Sequence, residues 1–84
     1  MSFDAAIIPE HAGQQMAKRQ ITEAEVREVL AHPAAVIPVR EGRVVVQAVR
    51  GAHLLRVFVD VDRTPVEVVT VYRTSKIQKY RSKP

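Results

Sequence analysis

The chain has 84 residues, enough for one domain with a small core. It contains no cysteine, which excludes disulfides, thiolate metal sites and thiol redox chemistry. Its net charge of +4 is uneven: through Tyr72 eight Lys and Arg meet nine Asp and Glu, whereas residues 73–84 carry five basic residues and no acid.

A local basic excess points to an anionic partner, with nucleic acid the leading candidate. The apolar runs are far shorter than a membrane span. The first twelve residues hold an acid and no basic start, unlike a signal peptide. Together these features predict a cytoplasmic protein.

In chain order, residues 1–8 read as an extended lead-in and residues 9–32 as a two-helix segment. Pro9 followed by Glu10 marks the first helix start, since proline presets φ and an early acid suits the helix dipole. That helix is predicted over residues 10–18, with Ala12 and Met16 inward and Arg19-Gln20 as the connection. The second helix has the stronger signal. Thr22 and Glu25 fit a capping box, and Ile21 with Val26 fits a hydrophobic staple. Val26, Val29 and Leu30 repeat at helical spacing. His32-Pro33 ends the helix, because a residue before proline avoids helical geometry.

From residue 35 the apolar period falls to two. Strands are predicted over residues 36–39, 43–50, 53–61 and 66–73, with Pro38 marking the first as an edge. Glu41-Gly42 and Gly51-Ala52 read as tight turns, so neighbours pair antiparallel. The fold expected is α+β: two N-terminal helices packed on a three- or four-stranded antiparallel β-meander. Residues 74–84 form a basic tail.

Strict alternation divides the strands into faces. Leu55, Val57, Val59 and Val61 form the natural bed for the helices. On the opposite face the alternation places Val44, Val46, Phe58, Val66 and Val68, with Arg50, Arg56, Thr70 and Tyr72 near the strand ends. Arg50 and Arg56 would then flank an anion such as phosphate, whose oxygens match the guanidinium fork. The alternative is an ion pair from Arg56 to Asp60, Glu67 or Glu10. The apolar part of that face would suit the first helix, a partner protein or a second copy of the chain.

The histidines do not have metal-ligand spacing, and the three glycines form no phosphate loop. No metal or cofactor is therefore expected. A ribonuclease needs neither, because RNA supplies its own 2′-hydroxyl nucleophile. The protein must accept and return protons and stabilise the phosphorane. His11 and Tyr72 are the candidate proton carriers, with Arg19 and Arg56 holding the phosphate; these four form the predicted catalytic set. Arg50, Thr70, Arg73, Lys76, Lys79, Tyr80 and Arg81 are the predicted nucleic-acid contacts, by charge and by stacking. His32 and His53 read as structural.

The segment Glu10-His11-Ala12, then Met16, Arg19, Ile21-Thr22, Val26 and Leu30, resembles the N-terminal half of domain-of-unknown-function family 4258. The later Gly51 hairpin, the strand around Leu55 to Val59 and Val69-Thr70-Val71-Tyr72 resemble its second half. The positions matching the family pattern are His11, Arg19, Thr70 and Tyr72. The resemblance implies a compact domain related in layout to RelE/ParE and BrnT-type toxins. Several of those cleave RNA and are neutralised by a cognate antitoxin. Pro9 departs from the pattern, which has a small hydroxylated helix cap there. A toxin-like RNA-binding protein, with metal-independent RNA cleavage as its activity, is the function expected. The alternative is a non-catalytic interaction module, homodimeric through its sheet face.

Overall fold

A computed structural model of the chain describes Phe3 and residues 5–77. The elements follow in the order α1 (Glu10–Lys18), α2 (Glu23–Ala31), β1 (Ala35–Arg40), β2 (Arg43–Arg50), β3 (His53–Asp60) and β4 (Glu67–Thr74). The strands form one antiparallel sheet in sequence order, β1-β2-β3-β4. This is the α+β layout expected from the change of apolar period. Among the described residues no helix is long and apolar enough to cross a membrane.

α1 begins at Pro9, whose ring leaves its side chain unable to cap. The helix relies instead on Glu10 in its first turn and Lys18 in its last, both matched to the dipole. It ends in a Schellman arrangement. The Ile21 amide donates to the Met16 carbonyl at 2.8 Å and the Gln20 amide to the Ala17 carbonyl at 3.1 Å. Gln20 takes the left-handed position at φ 59°, where glycine is the usual occupant. The accompanying contact of the motif, Ile21 with Met16, belongs to the buried core.

α2 carries both halves of the predicted capping box. The Glu25 amide donates to Thr22 Oγ1 at 3.1 Å, and the Thr22 amide donates to Glu25 Oε1 at 2.9 Å. Val26, Val29 and Leu30 are buried, as their spacing requires. His32 is the C-cap.

The described part of the lead-in turns where the Ala6 amide donates to the Phe3 carbonyl at 3.0 Å, and then runs alongside β4. Ile7 forms a parallel bridge to Glu67, with its amide on the Val66 carbonyl and its carbonyl accepting from Val68. The Phe3 amide reaches the Leu30 carbonyl, and Arg27 Nη1 on α2 donates to the Ala6 carbonyl at 2.5 Å. The lead-in thus covers the start of β4, an outer strand whose edge would otherwise be open.

One hydrophobic core lies between this α-layer and the inner sheet face. It joins Phe3, Ala6, Ala12, Met16, Ile21, Val26, Val29 and Leu30 to Val46, Leu55, Val57, Val59, Val68 and Val71. The helix bed was expected at Leu55, Val57, Val59 and Val61; the first three lie there, whereas Val61 is exposed just beyond the end of β3. The pairing corrects the rest of the face assignment. Val44 faces Val59, Val46 faces Val57 and Ala48 faces Leu55, so Val44 and Val46 belong to the inner face. Phe58 pairs with Val45, and Arg56 with Gln47, on the outer face.

β4 adds a bulge. Phe58 pairs with Thr70 and Val59 with Val68, leaving Val69 as the extra residue. Val68 and Val71 can therefore both be buried in the core although they are three residues apart. Strict alternation cannot produce that spacing. The predicted apolar docking face of Val44, Val46, Phe58, Val66 and Val68 is thus divided between two sides of the sheet.

Candidate nucleic-acid interface

Two acids at the far end of the sheet, Asp60 and Glu67, are engaged. Arg43 Nε meets Asp60 Oδ1 at 2.6 Å, and Arg63 Nη1 meets Glu67 Oε1 at 2.8 Å, with Asp60 a further 3.9 Å contact of Arg63. The Arg43 hydrogen bond holds the Asp60 carboxyl below its usual range, against burial, and the charges of Arg43, Arg63 and Arg40 add to this. Arg27 is bound to Glu23.

The opposite end carries a different set of cations. Arg19, Arg50 and Arg73 form no ion pair among the described residues. All three are exposed. Arg73 Nη2 donates to the Arg19 carbonyl at 2.9 Å and the Gln20 carbonyl at 3.2 Å, closing the C-terminus of α1. Arg19 Nη1 donates to the Val71 carbonyl at 2.6 Å and, at 3.5 Å, to Thr70 Oγ1. Thr70 in turn donates to Gln15 Oε1 at 2.6 Å. Thr70 pairs with Phe58 and lies two residues from Tyr72 with no bulge between, so it meets α1 at the outer edge of β4.

Arg50 and Arg73 lie two strands apart on the inner side. Their row offset is two residues, since Ala48, Leu55 and Arg73 share a row. Ordinary sheet spacing then puts their Cα atoms about 12 Å apart. Glu25 sits within the electrostatic reach of both. Its carboxyl is held below the usual range chiefly by the Thr22 amide, against burial, with Arg73 and Arg50 contributing at longer range. Three guanidiniums thus lie around the α1–α2 junction with two carboxylates, Glu25 tied into a helix cap and Glu23 paired with Arg27.

The predicted catalytic residues do not form one constellation. His11 is exposed in the first turn of α1, eight residues before Arg19. His11, Gln15 and Arg19 follow one helical face, and the ends of this row are about 12 Å apart along the axis. Arg56 and Tyr72 lie on the outer face instead. There Arg56 Nη1 donates to the Tyr72 hydroxyl at 2.5 Å and Arg56 Nε to Gln47 Oε1 at 2.9 Å. The ion pairs offered as alternatives for Arg56 give way to these bonds, and Asp60 and Glu67 are held by Arg43 and Arg63.

The Arg50–Arg56 anion clamp is likewise corrected. Arg50 pairs with His53 and Arg56 with Gln47, an offset of three residues along β2, so the two guanidiniums leave opposite faces. Of the predicted nucleic-acid contacts, Arg50 and Arg73 share the α1–α2 end of the inner side, while Thr70 pairs with outer-face Phe58 and reaches Gln15 and Arg19 at the β4 edge. Lys76 is exposed just beyond β4, with its amide on Thr74 Oγ1 at 3.0 Å. Lys79, Tyr80 and Arg81 lie outside the described residues.

Three participants have no site role in the sequence pattern: Gln15, Gln47 and Phe58. Gln15 could have been found as the residue midway between His11 and Arg19. Gln47 stands alone as a polar residue inside the run Val44-Val45-Val46-Gln47-Ala48-Val49, and it is 2% exposed. Phe58 was placed with valines that face the other way. Among the described residues no group of three His, Asp or Glu side chains is placed to hold a metal ion.

The family described as Domain of unknown function (DUF4258) matches residues 8–73. The chain belongs to the DUF4258 family. The match runs from the lead-in to the end of β4 and so includes α1, the capping box and the whole sheet. Comparison with curated proteins and with solved structures finds no match. Within this DUF4258 domain, the pattern positions His11 and Arg19 lie on α1 and at its C-cap, and Thr70 and Tyr72 lie two residues apart on β4, with Thr70 bonded to Arg19.

Proposed function

We propose that this DUF4258 domain is a toxin-like RNA-binding module whose phosphate-contacting surface is the α1–α2 end of the inner side. The observation that carries this reading is the grouping of Arg19, Arg50 and Arg73, none ion-paired among the described residues, while Arg27, Arg43 and Arg63 are each bound to carboxylates. Guanidiniums present forks of donors matched to phosphate oxygens. The order of two helices followed by an antiparallel sheet supports the likeness in layout to RelE/ParE and BrnT-type toxins, and with it a cognate antitoxin as partner.

Binding has more support than cleavage. A single-phosphate catalytic site would need its proton carriers and its cations in one cleft. His11 is two helical turns from Arg19, and Tyr72 is on the other face of the sheet. Any metal-independent cleavage is therefore expected to depend on His11 more than on Tyr72.

The test is fluorescence anisotropy of a labelled single-stranded oligoribonucleotide at low salt. Arg50→Gln is the informative variant, because Arg50 is exposed and holds no other element in place. A several-fold weaker affinity with an unchanged fold is expected. An unchanged affinity would remove this surface from the binding account.

A further inference from the structure

We propose that the outer face of the sheet carries a second contact for the same ligand: a stacking surface for one unpaired nucleobase, built from Phe58 and Tyr72 with Arg56. The inference rests on the RNA-binding reading and adds the part of RNA it would recognise.

The chain has four aromatic residues. Phe3 is in the core, whereas Phe58 and Tyr72 stand on neighbouring strands of the outer face, each partly exposed. Their ring centroids are 6.0 Å apart and their planes differ by 27°. The Arg56 guanidinium carbon is 5.5 Å from the Phe58 centroid and 5.6 Å from that of Tyr72. Its hydrogen bonds to the Tyr72 hydroxyl and to the buried Gln47 hold it in that position. Two rings and a planar cation, fixed before any ligand arrives, present the flat and positively charged surface on which unpaired bases stack. Stacking is tolerant of sequence, because every base has a π-face.

The position relative to the basic group gives the surface its use. β4 is the outermost strand, and alternation along it sets Arg73 and Tyr72 on opposite sides. Arg73 reaches the α1 C-terminus on the inner side, while the adjacent Tyr72 serves the outer face. A single strand crossing the edge at residues 70–73 would meet phosphate donors on one side and the rings on the other.

The experiment has two arms. Adenosine, which has no phosphate, is titrated into the full chain while ring resonances of Phe58 and Tyr72 are followed by NMR. Oligoribonucleotide affinity is then compared for the native chain, Tyr72→Leu and Arg50→Gln, with a base-containing and an abasic strand. Saturable shifts at both rings are expected, with affinity about tenfold lower for Tyr72→Leu on the base-containing strand. Loss of that difference on the abasic strand is also expected. Adenosine that leaves both rings unshifted overturns the stacking surface, whether or not Tyr72→Leu folds. If RNA affinity falls in Arg50→Gln but not in folded Tyr72→Leu, the phosphate surface stands and the stacking surface does not. If adenosine shifts the rings while Arg50→Gln binds RNA normally, the stacking surface stands and the phosphate surface does not.

Discussion

At the scale of single residues, the decisive feature is which arginines have a carboxylate partner. Arg43 and Arg63 neutralise Asp60 and Glu67 at one end, leaving Arg19, Arg50 and Arg73 around the helix-capping Glu25 at the other. This partition leads to a pH prediction. The Asp60 carboxyl is lowered in the folded chain, first by its hydrogen bond from Arg43. Its contribution to stability is therefore fully present above the unfolded value of about 4, and is lost as pH falls through the folded value. Urea midpoints measured between about pH 5 and pH 2 should fall more steeply for the native chain than for Asp60→Asn. Parallel curves would mean that the pair adds nothing to folding.

Single residues were also where sequence reading was least able to place a site. Arg56 and Arg50 were both recognisable as strand-end cations. Whether they share a face depends on register, and a shift of one residue reverses the answer. Gln47 carried a usable signal, since a polar residue inside an apolar strand needs a partner.

At the scale of elements, local chemistry was legible wherever it is written in neighbouring side chains. The Thr22–Glu25 box and the Ile21–Val26 staple located α2, and Gly42 and Gly51 located two hairpins. Both glycines have positive φ, as tight turns of this kind require. The end of α1 was not legible, because its left-handed position is filled by Gln20 and not by glycine. That residue carries a backbone cost that glycine would not. Gln20→Gly should stabilise the fold by about 0.5–1 kcal/mol, after allowing for the greater freedom of glycine in the unfolded chain. A urea midpoint at or below that of the native chain would show that the Gln20 side chain compensates for its conformation.

The bulges were not legible either. The extra residue at Val69 leaves no mark in composition, yet it keeps both Val68 and Val71 in the core. Alternation read without it merges inner and outer residues into one imagined apolar face.

At the scale of the whole molecule, the fold places its polar chemistry on two sides of one edge strand. The inner side offers exposed guanidiniums beside the junction of two helices. The outer side offers two rings and a guanidinium held by a buried glutamine. The family pattern spans both parts, with Arg19 bonded to Thr70 at the β4 edge and Tyr72 in the outer-face ring cluster. A ligand that used both would be a flexible polyanion with flat groups, which describes single-stranded RNA.

The central claim is that the Arg19, Arg50 and Arg73 surface contacts phosphates. Its most direct test is the salt dependence of RNA affinity for the native chain and for Arg50→Gln. On a single strand each phosphate contact adds about 0.7 to the slope of log affinity against log salt. The account predicts that Arg50→Gln lowers the slope by about that amount and weakens binding alike on different sequences. An unchanged slope in a folded Arg50→Gln variant would contradict it.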